Sequence, residues 1–158
     1  MPQRQDYILR LLEELNQFLA EVARFRRVGS YDAALLTLLQ AQERLFARPA
    51  EQFMALPVAE QVRLLAVDES AANARDKCVA YATLLAVAGH IYQARDQPAL
   101  AHGAYQLASH VILMALQQFS PPASLDDRAR ITELVGQLPP DDLNAEVRTW
   151  LIELDGKT

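Results

Sequence analysis

With 158 residues, 51% of them hydrophobic and 22% charged, the chain is long and apolar enough for one buried core, which excludes a disordered polypeptide. Its net charge of −5 excludes the basic stripe that a nucleic-acid binder needs. A single cysteine, Cys78, excludes an internal disulfide and suits a reducing cytoplasm.

The N-terminal stretch has no secretory signature, because Glu13 and Glu14 interrupt any apolar run after Arg4 and Arg10. Residues 5–28 instead carry an apolar stripe at alternating spacings of three and four: Ile8, Leu11, Leu15, Phe18, Val22, Phe25, widened by Leu12 and Leu19. That spacing predicts a long helix with one apolar face. Gly29 supplies a left-handed stop, Ser30 a cap, and Asp32 an acid in the first turn of a second helix that ends before Pro49. The short connection forces the two helices antiparallel. Pro57 divides the next stretch into short helices over about 50–55 and 58–66. Asp68, Glu69 and Ser70 then cap a long helix to about Arg95. Its uncharged run, Cys78 to Ala94, is shorter than the ~20 residues of a membrane span and reads as a buried central helix. Asp96-Gln97-Pro98 predicts a turn, followed by a helix to about Phe119, where Pro121 and Pro122 end it. Ser124 and Asp127 open another helix reaching Gln137, and Pro139-Pro140 with Asp141 and Asp142 open the last, closing near Gly156. No segment alternates with period two, so the class predicted is all-α.

The chain also repeats itself. Phe25, Gly29, Tyr31, Ala34, Leu38 and Ala41 return 67 residues later as Tyr92, Asp96, Pro98, Ala101, Tyr105 and Ala108. Small residues recur where helices approach closely, and large ones fill the gaps. The segment Leu85 to Ala108 resembles the tetratricopeptide repeat, with Gly89, Tyr92, Ala101, Tyr105 and Ala108 at diagnostic positions. Phe18, Phe25, Gly29, Tyr31, Ala34 and Ala41 match more weakly, while Glu21 and Val22 depart from the pattern. The resemblance implies one domain over 1–158: antiparallel helix pairs in a short right-handed array, with units at 82–115, 15–48 and a degenerate 49–81, plus C-terminal helices over 124–155. Gln5 to Arg10 at the start, with Leu138-Pro139-Pro140 before the closing helix, also resemble a family of small bacterial helical proteins of unassigned function. The strong excess of Arg over Lys points the same way, to a GC-rich bacterial gene.

As the resemblance implies, the expected role is a scaffold that holds a polypeptide, without cofactor, metal, nucleic acid or membrane. The repeat pattern maps its groove to Asn16, Leu19, Ala23 and Arg26, then Thr83, Ala86, His90 and Gln93. The carboxylate-tail clamp of that family is missing at Leu19, Ala23, Ala86 and His90. Alternatives are a homodimer through the wide stripe of the first helix, and a ligand pocket or enzyme around His90, Tyr92 and Tyr105. The last helix, anchored by Trp150, is a further candidate occupant of the groove.

Catalytic and metal readings have little to stand on. His102 and His110 lie roughly 12 Å apart along one helix, too far to share an ion. Cys78 would need an imidazole and a positive neighbour, and Lys77 faces elsewhere on the helix. Arg24, Arg26 and Arg27 look like an anion site but also suit the dipole of a helix C-terminus, as Asp126-Asp127 and Asp141-Asp142 suit helix N-termini.

Overall fold

The apolar stripe of the N-terminal segment forms α1 (Pro2–Arg27), which a tight turn returns as α2 (Tyr31–Phe46). The computed structural model describes residues 2–46, 49–119 and 125–156, and the side chains of 7–46, 49–119, 128–149 and 152. Ile8, Leu11, Leu15 and Val22 of α1 are buried against Ala34, Leu38, Ala41 and Leu45 of α2 and the rest of the core. The stripe expected to pair two copies is thus largely covered within one chain. Two short helices follow, α3 (Ala50–Met54) and α4 (Val58–Ala66), each begun by a proline, Pro49 and Pro57. Proline fixes φ and lacks the N–H that a first helical turn leaves unpaired anyway.

The long α5 (Ala71–Ala94) is the centre of the molecule, touching α1, α2, α4, α6 and α7. Ser70 caps it, its hydroxyl accepting from the Asn73 amide. Its partner α6 (Pro98–Gln118) packs along its whole length. By length and composition α6 is apolar enough to cross a membrane, and its buried face, Ala101, Tyr105, Ala108, Val111, Ile112 and Ala115, forms part of the core here.

The two hairpins, α1–α2 and α5–α6, turn in the same way. The Ser30 amide donates to the Phe25 carbonyl and the Gly29 amide to Arg26; the Gln97 and Asp96 amides donate to Tyr92 and Gln93. In each, the residue after the helix takes a left-handed conformation, Gly29 at φ 75° and Asp96 at φ 59°. This is the six-to-one closure of a helix C-terminus, at equivalent positions of the internal repeat. Arg95 joins the two turns, its guanidinium 2.6 Å from the Asp32 carboxylate.

The short helices read over 50–55 and 58–66 stand as α3 and α4, and the long helix read from Ser70 to about Arg95 stands as α5, so the repeat-unit boundary between 81 and 82 lies within one helix. One expectation fails: the last helix does not begin at Pro140. Pro140–Asp142 forms one 3₁₀ turn, and α8 (Ala145–Gly156) starts after an extended Leu143. Asn144 caps α8, its side-chain oxygen accepting from the Glu146 amide, while its own amide donates to Ser109 on α6. Between them lies α7 (Leu125–Gly136), packed on α5. The side chains of Ser124, Asp126, Asp127 and Trp150 lie outside the described residues, and no β-strand occurs among those described.

Candidate functional site

Two clefts lie one after the other along the seam between α1 and α5, together called the trough. At one end Leu12, Leu15, Asn16 and Leu19 of α1 face Val79, Ala80 and Thr83 of α5; at the other, Ala23, Arg26 and Arg27 lie near Ala94. The two helices therefore run in the same direction. From Val79 to Ala94 the trough rises about 22 Å at 1.5 Å per residue.

Its first cleft, about 280 Å³, has a third wall from α7: Arg130, Glu133, Leu134 and Gln137. The floor is leucine and valine, while Asp76 and Arg130 form an ion pair of 3.9 Å at the edge. The second cleft, about 350 Å³, is lined by Ala23, Arg26, Arg27, Tyr31 and Ala94. Arg24 takes no part in it and lies over the ring of Phe25 at 4.8 Å, a cation–π contact on its own helix.

Of the predicted groove residues, Asn16, Leu19 and Thr83 line the first cleft, and Ala23 and Arg26 the second. Ala86 does not reach the trough. It is 0% exposed, because a helix with neighbours on so many sides uses its alanines at the crossings. Gln93 is exposed near the end of α5 and lines neither cleft. The chain's own contribution to the trough is α7, whereas α8, the sequence candidate, packs on α6.

His90 is half-buried and engaged. Its Nδ1 and the Tyr105 hydroxyl share a hydrogen bond of 2.8 Å, the rings meeting edge-on with centroids 5.4 Å apart. Burial, helped by the Arg26 charge, holds the imidazole below its ordinary pKa, and burial raises that of the Tyr105 phenol. Gly89 makes room for the phenol: a Cβ there would lie 2.4 Å from Tyr105 Cε1. Tyr92 is partly buried against the core, and the clefts of about 220, 280 and 350 Å³ are lined by none of His90, Tyr92 and Tyr105. Among the described residues the hydrogen-bond partner of His90 is Tyr105 rather than a carboxylate. Cys78 is fully buried, and burial pushes its thiol up to about 12 despite the Lys77 charge, so it is no nucleophile in the folded chain.

Two polar constellations escaped the sequence. The Tyr81 hydroxyl donates to Gln61 Oε1 at 2.8 Å, and Gln61 Nε2 donates to the Leu56 carbonyl at 2.9 Å, deep under the rings of Phe46 and Phe53. This network fastens the α3–α4 bend to α5; a glutamine amid the apolar residues of α4 was its only trace. His102 of α6 contacts the Asp142 carboxylate of the 3₁₀ turn, beside a cleft of about 220 Å³ lined by Ser109, His110, Asp141 and Asn144. Asp142 lies far along the chain from His102, and only the turn at Pro140 aims it back. Among the described residues no three His, Cys, Asp or Glu side chains gather as a metal site.

Compared with protein families, with curated proteins and with solved structures, the chain finds no significant match in any of the three.

Proposed function

We propose that the chain is a non-catalytic cytoplasmic scaffold that holds a peptide or helix of a partner protein in the α1/α5 trough. The observation that carries this reading is the form of the trough: two open clefts spread over about 22 Å of the α1/α5 seam, each combining small or apolar residues (Leu12, Leu15, Leu19, Val79; Ala23, Ala94) with charged ones (Asp76, Arg130, Glu133; Arg26, Arg27). Its side chains suit packing against polypeptide and are poorly equipped to stabilise a transition state. The shared turn geometry of α1–α2 and α5–α6 supports reading them as two units of a tetratricopeptide-like array, with α3 and α4 as a reduced unit between.

The test is photo-crosslinking in the native cell, with p-benzoylphenylalanine replacing Asn16 or Ala94, which line the first and second clefts. A discrete adduct from both, lost in an Ala23→Glu, Thr83→Glu background that stays helical, is the expected result. Adducts no different from those of a probe at Arg148 on α8 refute the reading. Ala23 is exposed and Thr83 is partly buried at the wall of an open cleft, whereas Ala86 is fully buried and would not take the charge.

A second reading, self-association, rests on Leu36 and Leu39. They are 56% and 46% exposed and stand one turn apart on the outer face of α2. Light scattering at micromolar concentration checks it: a dimer that becomes a monomer in Leu36→Glu, Leu39→Glu supports this face, and a wild-type monomer removes it.

A further inference from the structure

The two ends of the trough differ in chemistry. The α7 end has an apolar floor of Leu12, Leu15, Leu19, Val79 and Leu134, with Asp76, Arg130 and Glu133 also in its lining. The other end is cationic. Arg26 and Arg27 line a concave space of about 350 Å³ with Tyr31, and no carboxylate is among the lining residues. Five cations elsewhere are matched by acids: Arg44 by Glu14, Arg63 by Glu60, Lys77 by Glu69, Arg95 by Asp32, Arg130 by Asp76; Arg24 and Arg148 instead meet the Phe25 ring and the Pro140 carbonyl. Among the described residues no acid lies within ion-pairing distance of Arg26 or Arg27. In a chain of net charge −5, two unmatched guanidiniums in a concavity are a local reversal of sign. Guanidinium forks pair with carboxylates in bidentate geometry, and α2 adds the positive end of its dipole at Tyr31.

We infer that the trough selects a two-part segment: apolar side chains for the α7 end, and carboxylates for Arg26 and Arg27 at the other. This rests on the polypeptide-binding reading and deepens it by naming the chemistry of the partner. About 22 Å separates Val79 from Ala94, which an extended peptide covers in about seven residues at 3.3 Å each. The ligand is an acidic stretch of one to three Asp or Glu, set that far from two or more large apolar residues.

The experiment uses a random 12-residue peptide library displayed on phage, selected against the immobilised full chain. The expected result is a family of peptides with an acidic cluster about seven residues from an apolar one. Synthetic copies, followed by fluorescence anisotropy, lose affinity about tenfold or more in R26Q/R27Q, and also weaken between about 0.05 M and 0.5 M salt. R10Q/R24Q removes the same charge from α1 outside the cleft and leaves binding within about twofold. Enriched peptides without acidic bias, or acidic peptides bound equally by R26Q/R27Q, overturn the inference and leave the scaffold reading intact. Equal losses in both double variants reduce the effect to general charge and also overturn it. If no peptide is enriched over bare support, the polypeptide-binding reading itself fails.

Discussion

Gly89 on α5 faces the ring of Tyr105 on α6 so closely that a methyl group is a severe intrusion. The ideal Cβ of an alanine there lies 2.4, 2.7 and 2.9 Å from Tyr105 Cε1, Cδ1 and Cζ. The ring cannot swing aside cheaply, since Tyr105 is 3% exposed and its hydroxyl is bound to His90. Gly89→Ala must therefore part α5 from α6 or turn the ring and break that bond. Overpacking costs about 1–3 kcal/mol, and the lost hydrogen bond about 1 kcal/mol. Against these stands a gain of about 1 kcal/mol in helix propensity. The net expectation is destabilisation by about 1–3 kcal/mol. With a urea slope of about 2 kcal/mol/M, the midpoint falls by roughly 0.5–1.5 M. Gly103→Ala is the matched control, because nothing lies within 4 Å of its added Cβ. It gains the propensity alone, and its midpoint rises. The cost of Gly89→Ala also shrinks in a Tyr105→Leu background, where the ring is gone. A Gly89→Ala midpoint at or above that of Gly103→Ala refutes the close approach of α5 and α6.

Gln61→Leu leaves the Tyr81 hydroxyl buried without its acceptor and lowers stability by about 1–3 kcal/mol, while Tyr81→Phe with Gln61→Leu costs less than the two changes summed; urea midpoints of the three variants check this. Because burial and Arg26 hold His90 below its ordinary pKa of 6.5, the unfolded chain takes up that proton more readily. Stability from this source is complete above the unfolded value and is lost as the pH falls through and below it, so the drop in midpoint from about pH 7.5 to about pH 5.5 is larger for the wild type than for His90→Asn. The Cys78 thiol, buried and raised to about 12, reacts with a thiol reagent at least about 100-fold more slowly in the native chain than in urea; a native rate near the unfolded one contradicts its placement.

Most of the helices were legible because their signals are local. The spacing of Ile8, Leu11, Leu15 and Val22 fixed the face of α1, and Pro57 fixed the start of α4. The repeat of Gly29 at Asp96 foretold two like turns, though an aspartate in the left-handed region is a weaker signal than a glycine. The failures came from contacts between distant residues. Pro139-Pro140 fits a 3₁₀ turn as well as a helix start, and what decides between them is Ser109, far back on α6, accepting from the Asn144 amide. Ala86 was placed in the groove because it shares a register with Thr83 and His90; how far α6 and α4 wrap around α5 is not written in that register. Of the site, the α1 wall and Thr83 were readable, while the α7 wall was not, since Leu134 looks like any core leucine until its neighbours are known.

The trough lies between units that close on their own. Each hairpin, α1–α2 and α5–α6, zips up through a tight turn, whereas α1 meets α5 only after α2, α3 and α4 have intervened. Contacts between chain neighbours form fast; those that must first close a long loop form late and open early. The Arg95–Asp32 link ties the end of α5 to the start of α2 across the seam between the two hairpins. A segment held in the trough, as proposed above, would touch both hairpins and so favour their association by mass action.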